Sequence, residues 1–263
     1  MSTVLSADGT RIAYDRYGQG PAVVLVGGAF QVRGNPSLTG LAEWLADRFT
    51  VYSYDRRGRG DSTDTAPYAV EREIEDLGAL IAAAGGSAAV FGVSSGAALA
   101  LRAARVLAVT RLAVYEPPFV VDDSRPPVPE DYLATVDRLI AGDRRAEAIG
   151  YFTTAAVGLP AEMTVGMDQS PYWPVMLSVA HTIGYDGRVM GESMSGRPLR
   201  AEWGEVPVPT LVLAGAQTFG WLLTGVAQLA SMVPDARHVV LDGQTHEVRP
   251  EVVGPLLAEF LAG

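Results

Sequence analysis

The sequence predicts an α/β fold, with a mostly parallel central sheet, helices on both of its faces, and a helical segment inserted after the sixth strand. Two observations carry that expectation. Short apolar runs alternate with stretches of helical periodicity, the pattern that a parallel sheet covered by helices imposes. The rhythm then breaks between Pro117 and Pro209, where no buried strand can be read and Pro-rich segments (PPFVVDDSRPPVPE and GEVPVP) flank helical patterns.

The elements follow in order. Thr3–Ser6 and Arg11–Arg16 read as strands joined by the turn residues Asp8 and Gly9. Ala22–Val26, AVVLV, is continuously apolar, as a strand buried on both faces requires. Leu41–Asp47 reads as a helix and Thr50–Tyr54 as the next strand. Between Tyr68 and Ala84, Val70, Ile74, Leu77 and Ile81 recur at three- and four-residue spacing, and Gly85-Gly86 marks the helix end. Ala88–Phe91 is a strand, Ser95–Val106 a helix rich in Ala and Leu, and Arg111–Tyr115 a sixth strand. In the irregular middle one helix opens at Pro129 and ends near Gly142. Alternation resumes with the strand Thr210–Ala214, a helix over Trp221–Val233, the strand His238–Leu241 and a C-terminal helix from Pro250. The expected organisation is a sheet domain formed by residues 1–116 and 205–263, interrupted by a helical cap over 117–204.

Composition removes several function classes. A chain of 263 residues is long enough to bury a substantial core. The net charge of −10 repels a polyanion, so no nucleic-acid partner is expected. No apolar run approaches the ~18 residues that span a bilayer, and the first residues, MSTVLSADGTRIAY, show no basic stretch leading into an apolar one. The expectation is a cytoplasmic protein with no membrane partner; oligomeric state is not legible. There is no cysteine, which excludes disulfides, cysteine nucleophiles and thiolate metal sites. All 20 basic residues are arginine, which removes Schiff-base chemistry. The 3 histidines, His181, His238 and His246, have no metal-ligand spacing, and neither a GxGxxG turn nor a P-loop is present. No metal or cofactor is expected, and nucleophilic chemistry through serine, threonine or a carboxylate remains.

Gly92-Val93-Ser94-Ser95-Gly96 matches GxSxG between a strand and a helix, the context in which that motif raises a serine above a sheet. The helix that follows aims its free N–H groups at the same spot. His246 lies in a polar loop, DGQTHEV, just beyond a strand's C-terminal end, where open α/β sheets place their ligands. His238 begins a strand and reads as structural, and His181 reads as packing within the inserted segment.

These motifs together resemble the α/β-hydrolase superfamily across nearly the whole chain. GVSSGAALAL is similar to its nucleophile elbow, YDRRGRGDS to the loop after its fourth strand, and GQTHEV to its histidine loop. The resemblance implies the α/β-hydrolase fold with a cap, Ser94 as nucleophile and His246 as general base. It implies an oxyanion hole built from the backbone N–H groups of Ala29 and Ser95. The common pattern opens the first of those loops with His-Gly; here Gly27-Gly28-Ala29-Phe30 stands instead, which leaves the loop's rigidity open. The usual triad acid after the seventh strand is also missing, since AGAQTFGW offers Gln217 and Thr218 there. A variant arrangement moves the acid to the end of the sixth strand, where Glu116 stands; Asp186 and Asp242 are the other candidates.

The RRGRGD cluster either binds an anion or ties its own loop together through arginine–carboxylate and arginine–carbonyl bonds, the second being the commoner use. The inserted segment carries Tyr151, Phe152, Met163, Met167, Tyr172, Trp173, Met176, Met190 and Met194. Tyr151 and Trp173 from that set, with Phe30 and Trp221 from the sheet side, are the expected substrate contacts. The expected activity is hydrolysis of a small to medium apolar ester, lactone or thioester through an acyl-enzyme on Ser94. The rival is a non-hydrolytic member of the fold, either a lyase or cyclase using His246 for proton transfer or a ligand-binding module; the missing acid favours it.

Overall fold

Buried strands need apolar side chains on both faces, and the AVVLV run supplies them. The computed structural model describes residues 1–263. Its strands are β1 (Ser2–Leu5), β2 (Arg11–Tyr17), β3 (Ala22–Val26), β4 (Thr50–Tyr54), β5 (Ala88–Val93), β6 (Val109–Tyr115), β7 (Thr210–Gly215) and β8 (Arg237–Leu241). They form one sheet in the spatial order β1-β2-β4-β3-β5-β6-β7-β8. β1–β2 and β2–β4 pair antiparallel; every other neighbour pairs parallel. The long apolar strands β3, β5 and β6 are central, and the half-exposed β8 is an edge.

Successive side chains point to opposite faces, so β3 feeds two cores. Val23 and Leu25 pack with Leu41, Leu45 and Leu257 from α1 (Pro36–Leu45) and α9 (Pro250–Ala262). Val24 and Val26 belong with Leu77, Leu99 and Leu229 from α2 (Val70–Ala83), α3 (Ser95–Ala104) and α8 (Gly220–Met232). Helix α1 begins five residues before the helix read from the sequence at Leu41, because Asn35 accepts a hydrogen bond from Ser37 N–H at 3.1 Å and Pro36 fills the first helical position.

Between β6 and β7 there is no strand. The segment holds α4 (Tyr132–Ala141), α5 (Arg145–Tyr151), α6 (Trp173–Val179) and α7 (Ile183–Met190), linked by short 3₁₀ turns and a π turn at Phe152–Ala156. Helix α7 packs on α3 and α2. Its Ile183, Val189 and Met190 are buried in the same apolar cluster as Leu99 and Leu101, so the core on that face runs unbroken into the inserted segment. No helix is long and apolar enough to cross a membrane.

Leu25 has no solvent exposure and sits between two helices and two neighbouring strands. Leu25→Ala should cost about 2–5 kcal/mol through lost burial and the cavity left behind. The measurement is a lower urea midpoint with an unchanged slope; an unchanged midpoint would mean that the site collapses freely.

Candidate active site

The turn from β5 into α3 can close only around glycine. A side chain at Gly96 would come within 2.4 Å of the Val26 carbonyl oxygen, and one at Gly92 within 2.5 Å of the Gly96 carbonyl oxygen. Between them Ser94 takes φ 56°, ψ −127°, a conformation that costs a non-glycine residue about 1–3 kcal/mol. Its N–H donates to the Tyr115 carbonyl at 2.9 Å, tying the turn to β6. Ser95 opens α3, and the first N–H groups of a helix have no partner within it.

Glu116 follows β6 directly, with φ 47° and no solvent exposure. Its Oε2 lies 2.6 Å from Nδ1 of His246. A carboxylate only accepts, so this nitrogen carries the proton, and in the neutral imidazole Nε2 is the acceptor. The carboxylate takes two more hydrogen bonds, from the Gly215 N–H at 2.7 Å and the Thr218 hydroxyl at 3.0 Å. The C-terminal end of β7 thus supplies donors to Glu116 instead of an acid of its own. The histidine loop is fixed by the Tyr115 hydroxyl, which donates to the Thr245 carbonyl at 2.5 Å.

Ser94 and His246 line one cavity of about 70 Å³, together with Ala29 and Ser95. Its other wall is apolar, formed by Phe152, Ala156, Met190, Met194, Trp221 and Leu222 among others. Of the expected substrate contacts, Trp221 stands on this wall. Phe30 stands behind it, edge-on to Phe152 at 5.2 Å, and Tyr151 stacks at 5.6 Å on Tyr132, which does line the cavity. Trp173 opens α6 half-buried and off the wall. Tyr132, Phe152 and Phe219 are therefore the lining aromatics that the sequence reading did not assign to substrate; nothing in helical spacing distinguishes Tyr132 and Phe152 from Tyr151. Met163 is exposed. His238 is exposed on β8, and His181 packs near Gly58, where burial holds its imidazole below the usual range.

The three arginines of the RRGRGD turn are buried, and their partners lie elsewhere in the chain. Arg56 makes a two-pronged bond to Glu73 of α2, at 2.6 and 2.7 Å, and donates to Asp186 of α7 at 2.7 Å. Arg57 makes a similar pair with Asp76, at 2.7 Å through each nitrogen. Arg59 donates to Asp186 at 2.7 Å, to the Gly28 carbonyl at 2.6 Å and to the Thr182 hydroxyl at 3.0 Å. Both oxygens of Asp186 are thereby used, with the Ser95 hydroxyl adding a bond at 2.7 Å. Asp242 is exposed. Among the three candidate carboxylates it is Glu116 that bonds His246. The loop that lacks the histidine is stiffened by Gln31, whose side-chain oxygen accepts the Gly28 N–H at 2.7 Å. No group of three or more His, Asp or Glu side chains has metal-holding geometry.

The family follows from comparison with known proteins. A model of the alpha/beta hydrolase family matches residues 22–253. The chain belongs to that family. A crystal structure of an alpha/beta hydrolase from Sphaerobacter thermophilus DSM 20745 is 52% identical, with a TM-score of 0.92 over 98% of this chain and 99% of that one. The enol-lactonase from Burkholderia xenovorans LB400 is similar in fold, with 21% identity and a TM-score of 0.74 over the whole of both chains. So is a thermophilic esterase from Thermogutta terrifontis, with 21% identity and a TM-score of 0.71 over 99% of this chain and 97% of that one. Membership of the alpha/beta hydrolase family supports hydrolysis as the class of activity.

Burial alone would raise the Asp186 carboxyl, but Arg59, Arg56 and the Ser95 hydroxyl outweigh it and hold it below its ordinary 3.8. Burial opposes ionisation of Glu73 too, and Arg56 overcomes it, leaving that carboxyl below its ordinary 4.5. A carboxyl whose folded pKa is depressed stabilises the fold fully above its unfolded value and progressively less as the pH falls toward the folded one. Urea midpoints should therefore be level from pH 7 to about 5 and fall steadily below that. A midpoint unchanged down to pH 3 would contradict the assigned charges.

Proposed function

We propose that the protein is a serine hydrolase of small apolar carboxylic esters, lactones or thioesters. The observation that carries this reading is the 2.6 Å bond from His246 to the buried Glu116, with His246 and Ser94 on the wall of one apolar cavity. In the proposed reaction His246 Nε2 takes the Ser94 hydroxyl proton as the oxygen attacks the acyl carbon. The oxyanion rests on the Ala29 and Ser95 N–H groups. Collapse breaks the bond to the leaving group, to which His246 returns the proton. Water then repeats the sequence on the acyl-enzyme, releasing the acid and restoring Ser94. Glu116 holds the imidazole in the required tautomer and stabilises the imidazolium that forms.

The cavity's volume of about 70 Å³ is under half the ~150 Å³ of a dry protein cavity that takes up benzene. A short acyl chain fits that space, and the phenyl, thioether and indole groups around it favour an apolar one. The esterase and the enol-lactonase of similar fold accord with this class through their fold alone. The inserted segment between β6 and β7 acts as a cap, since it supplies Tyr132, Phe152, Met190 and Met194 to the cavity wall.

Ser94→Ala should abolish hydrolysis of p-nitrophenyl butyrate and labelling by a fluorophosphonate, with the thermal melt nearly unchanged. Glu116→Gln should lower kcat by about 10²–10⁴ while KM stays close to wild type, because an amide N–H in place of Oε2 cannot accept the Nδ1 proton. A folded, fully active variant at either position would remove that residue from the mechanism.

A panel of p-nitrophenyl esters tests the cavity. Acetate to butyrate should be preferred over octanoate, and Phe152→Ala should move the optimum to longer chains by removing a wall. An optimum that stays put in the folded variant, or a preference for charged esters, would contradict the cavity assignment.

A further inference from the structure

We propose that Asp186 is a positioning residue that sets the geometry of both oxyanion donors at once and makes that geometry depend on the docking of the inserted segment. The proposal rests on the serine-hydrolase reading above. Asp186 belongs to α7, within the insertion, yet it has no partner there; every bond to its carboxylate comes from the sheet domain.

Its two oxygens serve the two halves of the hole. Oδ1 accepts the Ser95 hydroxyl at 2.7 Å, which fixes the residue whose backbone N–H is the first donor. Oδ2 accepts Arg59, whose other nitrogen donates to the Gly28 carbonyl at 2.6 Å. That carbonyl and the Ala29 N–H belong to one peptide group. A trans peptide is planar, with its C=O and N–H pointing in opposite directions. Pinning the Gly28 oxygen toward the arginine therefore turns the Ala29 N–H the other way, and Ala29 lines the cavity. A charged donor on the carbonyl also polarises the peptide and strengthens its N–H as a donor. Arg56 adds a bond from the Oδ1 side to the preceding carbonyl, that of Gly27, at 3.3 Å. One carboxylate thus bonds Ser95 on α3 directly and reaches the loop after β3 through Arg59, and Arg56, held by the same Oδ1, adds a bond to the Ser95 hydroxyl at 3.4 Å.

A misplacement of a fraction of an ångström at such donors acts on the transition state more than on the bound ester. Asp186→Asn should therefore lower kcat for p-nitrophenyl butyrate by about 10–100-fold with KM within about threefold of wild type. The affinity for butylboronic acid, whose serine adduct places an oxygen in the hole, should fall by a similar factor. Ser95→Ala removes the hydroxyl's bonds to Asp186 and Arg56 but no charge, so the arginine–carboxylate pairs stay balanced; its kcat and boronate affinity should fall by about 3–10-fold. If Asp186→Asn does not fold, Ser95→Ala decides alone. Folded variants that lose only melting temperature, with kcat and boronate affinity at wild-type values, overturn the positioning role and leave the serine reading standing. A wild-type enzyme that neither takes up fluorophosphonate nor turns over the ester overturns the serine reading, and this proposal with it.

Discussion

Arginine keeps its charge wherever it is placed, so a guanidinium shut away from water must be met by carboxylates, and at Arg56 and Arg59 these come from separate parts of the chain. Glu73 arrives on α2 and Asp186 on α7, beyond the whole first half of the insertion. Two buried cations and two buried anions balance. Removing one partner of such a set typically costs about 3–5 kcal/mol, because the remaining charge stays buried. A set of this kind adds little net stability over a well-packed apolar replacement. What it fixes is position: the turn after β4, α2, α7 and the loop after β3 hold one another in place, and the insertion cannot lift from α3 without exposing an unbalanced arginine.

That rigidity is what lets the site hold strained backbone. Of the five non-glycine residues with positive φ, three are Phe30, Ser94 and Glu116, all at or directly behind the cavity. Each such residue costs about 1–3 kcal/mol and persists only where its surroundings over-determine it. Ser94 is held by its N–H bond to Tyr115 and by the close contacts across Gly92 and Gly96. Glu116 is held by three bonds to its carboxylate and by its N–H, which donates to the Leu213 carbonyl at 3.0 Å. Phe30 accepts at its carbonyl from the Tyr172 hydroxyl at 2.9 Å, a contact from the insertion.

The sheet was legible because its central strands are continuous apolar runs, and their observed limits differ from the sequence reading by no more than about two residues, the ordinary uncertainty of element ends. The start of α1 was legible in Asn35-Pro36, a cap followed by a first-turn proline, but the weak apolar spacing before Leu41 masked it. Around the site, what could be read was what local pattern dictates: a serine between two glycines, a histidine after a strand, a glutamate at a strand's end. What could not be read was pairing across long separations. Arg59 and Asp186 lie 127 residues apart, and Thr218 and Glu116 102. The wall of the cavity failed for a related reason. Tyr151 and Phe152 are adjacent in sequence, and of the two it is Phe152, where the π turn begins, that lines the cavity.

The position of Glu116 shows what the histidine requires and what it does not. Under the proposed mechanism, an imidazole that takes a serine's proton at one nitrogen needs an acceptor at the other, and the chain segment that brings it is immaterial. β6 and β7 are neighbours in register, with Tyr115 opposite Leu213, so their C-terminal ends reach the same point above the sheet. A carboxylate from either strand can stand beside His246, but two could not both stay ionised there without strong mutual repulsion. Once Glu116 occupies the place, the end of β7 is best filled by donors, and the Gly215 N–H and Thr218 hydroxyl serve in that way. The absence of an acid after β7 and the glutamate at the end of β6 are one feature: a single carboxylate meets His246 from β6, and the end of β7 supplies donors to it.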